Sequence, residues 1–122
     1  MSSKIVMKNG LTTKDEDWGS LIVKVGADQD RTAFARLFKH FSPFLKGFLL
    51  RSEGLGPEQA EELVQETMLK VWRKAPTYSP AQAAASTWIY TIARNTRIDW
   101  IRKHYRENTT DLLAEDIYDD TE

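Results

Sequence analysis

The 122-residue chain is 41% hydrophobic and 29% charged, proportions of one folded domain with a single core, which excludes disorder throughout. It has no cysteine, which excludes disulfides, zinc–thiolate sites and a thiol nucleophile and suits a reducing cytoplasm. The net charge is −1, the first ten residues lack the apolar run of a signal peptide, and nowhere do about 18 apolar residues follow one another, so a soluble, cytoplasmic protein without membrane insertion is expected.

Strand signals are nearly absent, and the helical period dominates. The pattern predicts a short helix over about 15–25, ending near Gly26. A second starts near residue 30 and carries Phe34, Leu37, Phe38 and Phe41 on one stripe. "HFSPFL" is expected to interrupt it, because Pro43 lacks a backbone donor but suits the first turn of a new helix with Ser42 as N-cap. That third helix would bury Leu45, Phe48 and Leu49 and stop at "SEGLG". Gly56 and Pro57 open the clearest helix, over 57–74, with acids early and bases late as the helix dipole favours. Ala60, Leu63, Val64, Thr67, Met68, Val71 and Trp72 form its core stripe. Pro76 and Pro80 mark a loop, and a last helix covers about 84–105. The fold class is therefore all-α, a compact bundle of four to five helices. Residues 1–14 read as an N-terminal tail, 15–106 as the helical domain, and 107–122 as an acidic linker or tail.

The near-zero net charge hides segregation. Residues 86–106 carry Arg94, Arg97, Arg102, Lys103 and Arg106 against Asp99 alone, whereas everything from Glu107 onward is acidic or neutral. Opposed blocks of charge point to distinct surfaces for distinct partners. At about 100° per residue, Trp88, Ile89, Ile92, Ala93, Thr96 and Trp100 share one sector of the last helix and read as its core face. Tyr90, Thr91, Arg94, Asn95, Arg97, Arg102 and Tyr105 fall on the opposite arc, together with Ile98 and Ile101. Guanidinium groups beside aromatic rings suit phosphates and unstacked bases. An acidic protein surface or ordinary helix packing would account for the same arc. On the 57–74 helix, Glu62, Gln65, Glu66 and Leu69 stand at i, i+3, i+4 and i+7 with Trp72 at their edge. An apolar residue ringed by carboxylates on a rigid helix resembles a docking site for a basic partner.

Catalytic and metal readings find no support. His40 and His104 have no Glu-x-x-His partner, the glycines fit no phosphate loop, and Glu61, Glu62 and Glu66 have no nucleophile or base beside them. Neither an enzyme nor a cofactor is expected.

"AEELVQETMLKVW" followed by "STWIYTIARNTRIDWIRK" resembles region 2 of bacterial RNA polymerase sigma factors of the extracytoplasmic-function (ECF) type, over roughly residues 15–106. The resemblance implies the sigma region 2 fold and a transcription initiation factor without catalytic activity. In that family the first motif docks on the clamp coiled coil of the polymerase β′ subunit. Here it implicates Glu62, Leu63, Gln65, Glu66 and Leu69, with Trp72 at the rim and Leu63 assigned to the core. The second motif binds the promoter minus-ten element on the non-template strand and helps to open it. Its positions here include Tyr90, Thr91, Arg94, Asn95, Arg102 and Lys103, with Arg97 on the same arc. Trp88 and Trp100 are assigned to the core, and Asp99 is spaced for an i, i+4 pair with Lys103. The preceding loop, in the family, cups a base flipped from the duplex; here it is about 77–85, with Tyr78 at the position of a usual aromatic. Ala83, Ala84 and Ala85 replace the Gly-Ser-aromatic sequence of many relatives, so the captured base is open. Relatives carry a C-terminal helix-turn-helix domain after a linker and are held by anti-sigma factors. The chain is thus expected to be an N-terminal fragment or a single-domain variant, with an anti-sigma partner. The competing reading is a helical adaptor or anti-sigma mimic that never touches DNA, which would have no use for the basic-aromatic arc.

Overall fold

A computed structural model describes residues 17–107. Four helices follow in order: α1, Trp18–Asp28; α2, Arg31–Leu50; α3, Pro57–Lys74; and α4, Ala85–Glu107, with one 3-10 turn, Ala75–Thr77, after α3. Among the described residues there is no strand, and no helix is long and apolar enough to cross a membrane. The all-α expectation holds. The expected tails fall outside the described residues apart from Glu107.

Each early helix starts on a side-chain cap. Asp17 accepts from the Ser20 backbone N–H at 3.2 Å and from its hydroxyl at 2.8 Å, and Asp30 accepts from the Ala33 N–H at 3.0 Å. α1 does not stop at Gly26 but continues to Asp28 and closes on Gln29, whose φ of 52° is left-handed. Gly26 serves packing instead. A Cβ there would stand 2.7 Å from the Ala75 carbonyl carbon, so α1 lies directly on the 3-10 turn.

α2 corrects the sequence reading. One continuous helix replaces the two expected, with Pro43 inside it. Ala33, Leu37, Phe41, Leu45 and Leu49, each four residues from the last, are all buried, and this ridge runs unbroken past the proline. Interior proline costs a helix about 3 kcal/mol. Burying each large apolar side chain of the ridge contributes about 1.5–3 kcal/mol, so keeping the ridge in register outweighs the lost hydrogen bond. Pro43 itself faces outward. Ser42, expected as a cap, sits mid-helix with its hydroxyl oxygen buried and without a hydrogen-bond partner in the described residues.

α3 matches its predicted limits; Gln59 Oε1 accepts from the Gly56 N–H at 3.0 Å, and Pro57 occupies the first position. The core forms where the helices meet, around Ile22, Leu37, Leu45, Leu63, Met68 and Ile89, all at most 1% exposed. α3 and α4 pack against each other, and each keeps exposed side chains on its outer side, Glu62 and Leu69 on α3 and Arg94 and Lys103 on α4 among them.

Candidate functional site

The outer face of α3 carries the predicted patch. Glu62, Gln65 and Glu66 are exposed, and Leu69 is 55% exposed. Leu63, one residue from Glu62, is 1% exposed and belongs to the core, as its place on the helix requires. Trp72 is half-buried, its ring 5.2 Å from that of Phe34 in an edge-on contact, so it forms a fixed rim. Glu61 points elsewhere and pairs with Lys46 of α2 at 3.1 Å. The patch is therefore an apolar knob among acceptors on a helix whose opposite face is packed in the core.

α4 departs from a simple two-sided helix. Ile89, Ile92, Ala93 and Thr96 are buried, and Trp88 and Trp100 pack against the core, as expected. Thr91, Arg94, Asn95, Arg102 and Lys103 are exposed. Tyr90 and Arg97, placed by the sequence on the same open arc, are half-buried along its margin. Both meet Phe48 of α2: the Tyr90 ring lies edge-on at 5.3 Å, and the Arg97 guanidinium carbon stands 4.6 Å above the Phe48 ring. Stacking engages the flat face of a guanidinium and leaves its in-plane N–H donors for other acceptors. Phe48 was legible only as an apolar position of α2, and nothing in sequence order pairs it with α4.

A cleft between α3 and α4 adds two lysines that sequence reasoning missed. Lys70 and Lys74 line it with Asn95, Ile98, Asp99 and Arg102. Lys70 Nζ donates to Thr96 Oγ1 at 3.0 Å and lies 3.6 Å from the Glu66 carboxylate. Positive charge thus continues from α4 onto the late turns of α3. Asp99 lines this cleft, and among the described residues it makes no ion pair with Lys103.

The loop before α4 differs most from expectation. Tyr78, which the resemblance puts at the position of a usual aromatic in the base-cupping loop, is 8% exposed. Its hydroxyl donates to the Ala83 carbonyl at 2.8 Å, and its ring lies 5.0 Å from that of Trp88. Burial raises the Tyr78 hydroxyl above the usual phenol range, and the charge of Asp17 adds to this. In front of the loop opens a second cleft, walled by Pro80, Ala84 and Ser86 on one side and by Trp18 and His40 on the other. Trp18 and His40 stack there, 4.1 Å apart and 13° from parallel. No group of three or more His, Cys, Asp or Glu side chains among the described residues could hold a metal ion.

The bundle thus shows a carboxylate-ringed leucine on one helix and a cationic arc on the next, two surfaces of unlike chemistry. The family model described as sigma-70 region 2 matches residues 37–107, and the chain belongs to the sigma-70 family, in its ECF branch. It is 47% identical over 97 residues to the ECF RNA polymerase sigma factor RpoE of Cereibacter sphaeroides, across 80% of this chain and 53% of that protein. With the ECF sigma factor SigF of Caulobacter vibrioides the identity is 33% over 100 residues, 77% of this chain and 55% of the relative. The chain spans about half the length of these relatives. The crystal structure of Rhodobacter sphaeroides SigE in complex with the anti-sigma ChrR superposes with a TM-score of 0.67 at 49% identity, covering 71% of this chain and 52% of that one. An engineered region 2 of sigmaE, solved by NMR in complex with GTAAAA, shares the fold, with a TM-score of 0.66 at 21% identity over 80% of this chain and 98% of that one.

Proposed function

We propose that this chain acts as an ECF sigma factor region 2 that holds core RNA polymerase and captures the non-template strand of the promoter minus-ten element. The observation that carries the reading is the outward display of both surfaces at once. Leu69 with Glu62, Gln65 and Glu66 faces away from the bundle on α3, while Arg94, Asn95 and Arg102 do so on α4. The α3 patch meets the β′ clamp coiled coil: Leu69 is buried on docking, and the carboxylates meet basic groups around it. Trp72 supports the rim.

On DNA, Arg94, Arg102 and Lys103 meet phosphates, a contribution independent of sequence. Arg97, held by Phe48, and Tyr90 border the strand's path. Thr91 and Asn95 stand where base edges pass, and the cleft before the loop takes an extruded base. Extrusion costs a few kcal/mol of stacking and pairing. Stacking on aromatic side chains returns about 1–3 kcal/mol per base. A protein that binds the open strand better than the duplex shifts the equilibrium toward melting, and no bond is made or broken. The protein acts in the cytoplasm, without a cofactor. An anti-sigma factor that covers these surfaces is its expected regulator, by analogy with the ChrR-bound relative.

Anisotropy titrations with core polymerase, and with single-stranded and duplex promoter libraries, test this. The reading requires polymerase binding and tighter binding to single strands. Equal affinity for both DNA forms, or no polymerase binding, would reject it.

A further inference from the structure

We propose that Tyr78 is a positioning residue whose hydroxyl clasps the loop before α4 and thereby sets which base the adjoining cleft accepts. The inference rests on the reading of that cleft as a base-capturing site. Three observations carry it. The Tyr78 hydroxyl donates to the Ala83 carbonyl at 2.8 Å, closing a ring across the turn of the loop. Within that ring the Gln82 and Ala83 N–H groups both bond the Ser79 carbonyl, at 3.0 and 3.3 Å, so the turn is defined at both ends. And the tyrosine is packed on two sides: its ring rests on Trp88 at 5.0 Å, and its hydroxyl lies so close to Gly19 that a methyl added there would stand 3.0 Å from the hydroxyl oxygen.

Ala83, Ala84 and Ser86 all line the cleft. The alanine side chains offer no hydrogen bond to a base edge, so along the loop selectivity rests on shape, on the Ser86 hydroxyl and on where the backbone groups point. The clasp fixes that backbone. Tyr78 itself borders the cleft, but its hydroxyl is engaged by the Ala83 carbonyl, so the hydroxyl acts on selectivity through the loop.

The test uses the full chain and a set of six-nucleotide DNA single strands, each position varied over the four bases. Tyr78→Phe deletes the hydroxyl and keeps the ring. Gly19→Ala pushes on the same hydroxyl from the other side and serves as the second variant. For the parent chain, the preferred base at one position is expected to win by about tenfold or more. In either variant that preference collapses to within about twofold, while the salt slope of binding and affinity for core polymerase stay at parent values. If the parent discriminates and both folded variants discriminate equally, the clasp is wrong and the cleft stands. If the parent shows no preference at any position, the reading of the cleft falls and the clasp with it.

Discussion

Lys70 on α3 donates a hydrogen bond to Thr96 on α4 at 3.0 Å, joining the helix that carries the acidic patch to the helix that carries the basic arc. Thr96 Oγ1 in turn donates to the Ile92 carbonyl at 2.8 Å, and its side chain is 1% exposed. Thr96→Val keeps the shape and removes the acceptor. A buried hydrogen bond of this kind contributes about 1 kcal/mol, so the variant is expected to melt a few degrees lower. Calorimetric unfolding of the two proteins checks it, and an unchanged midpoint would show that the inter-helix bond contributes nothing.

Leu69→Asp replaces the apolar centre of the α3 patch with a further carboxylate. The side chain is 55% exposed, so the fold and its circular dichroism are expected to be unaffected. Affinity for core polymerase should fall by at least about thirtyfold, the loss that truncating a central interface residue produces. Binding at parent strength would remove the docking assignment.

Arg94→Ala should weaken binding to every single-stranded sequence by a similar factor. The plot of log affinity against log salt should become shallower by about one unit, because one phosphate contact is lost. A loss confined to one sequence would make Arg94 a base reader instead.

Gly26→Ala places a methyl group 2.7 Å from the Ala75 carbonyl carbon, a backbone atom that cannot move alone. Separating α1 from the 3-10 turn should cost about 1–3 kcal/mol. Gly47, where a Cβ meets nothing within 4 Å, provides the control. Gly47→Ala should be neutral or stabilising, since alanine is the better helix former. Denaturant midpoints of the two variants separate packing from propensity.

Two groups set opposite limits to stability with pH. The Asp17 carboxyl is held below its usual range, first by the Ser20 hydroxyl and then by the Ser20 backbone N–H. A lowered folded-state value means its contribution is present above the unfolded value, near pH 4, and is lost as pH falls through the folded one. Tyr78 behaves in reverse. Its value is raised by burial and by Asp17, so its contribution is whole below about pH 10 and is lost as pH rises through the folded value. Asp17→Asn should flatten the acid limb of a stability–pH profile, and Tyr78→Phe the alkaline limb; unaltered limbs would refute the assignments.

Much of the architecture was readable before any fold was known. The 57–74 helix was delimited correctly because Gly56, Pro57 and the charge gradient are local signals that act within one turn. The exposure of Leu69 beside a buried Leu63 followed from helical period alone. Pro43 misled for the same reason: its local preference is to start a helix, and only a ridge from Ala33 to Leu49, satisfied by other helices, overrides it.

The site divides along the same line. Composition and period by themselves determined that the protein is helical, that one helix bears a leucine among carboxylates, and that the last one bears arginines beside rings, since each is a property of a single helix. Tertiary structure alone decided that Tyr90 and Arg97 rest on Phe48, that Lys70 reaches Thr96, and that Tyr78 turns inward to hold Ala83. Those are contacts between elements, or across a loop, set by which surfaces the packed core brings together. Helical periodicity carries no information about what a neighbouring helix presents, so they exist only once the bundle has closed.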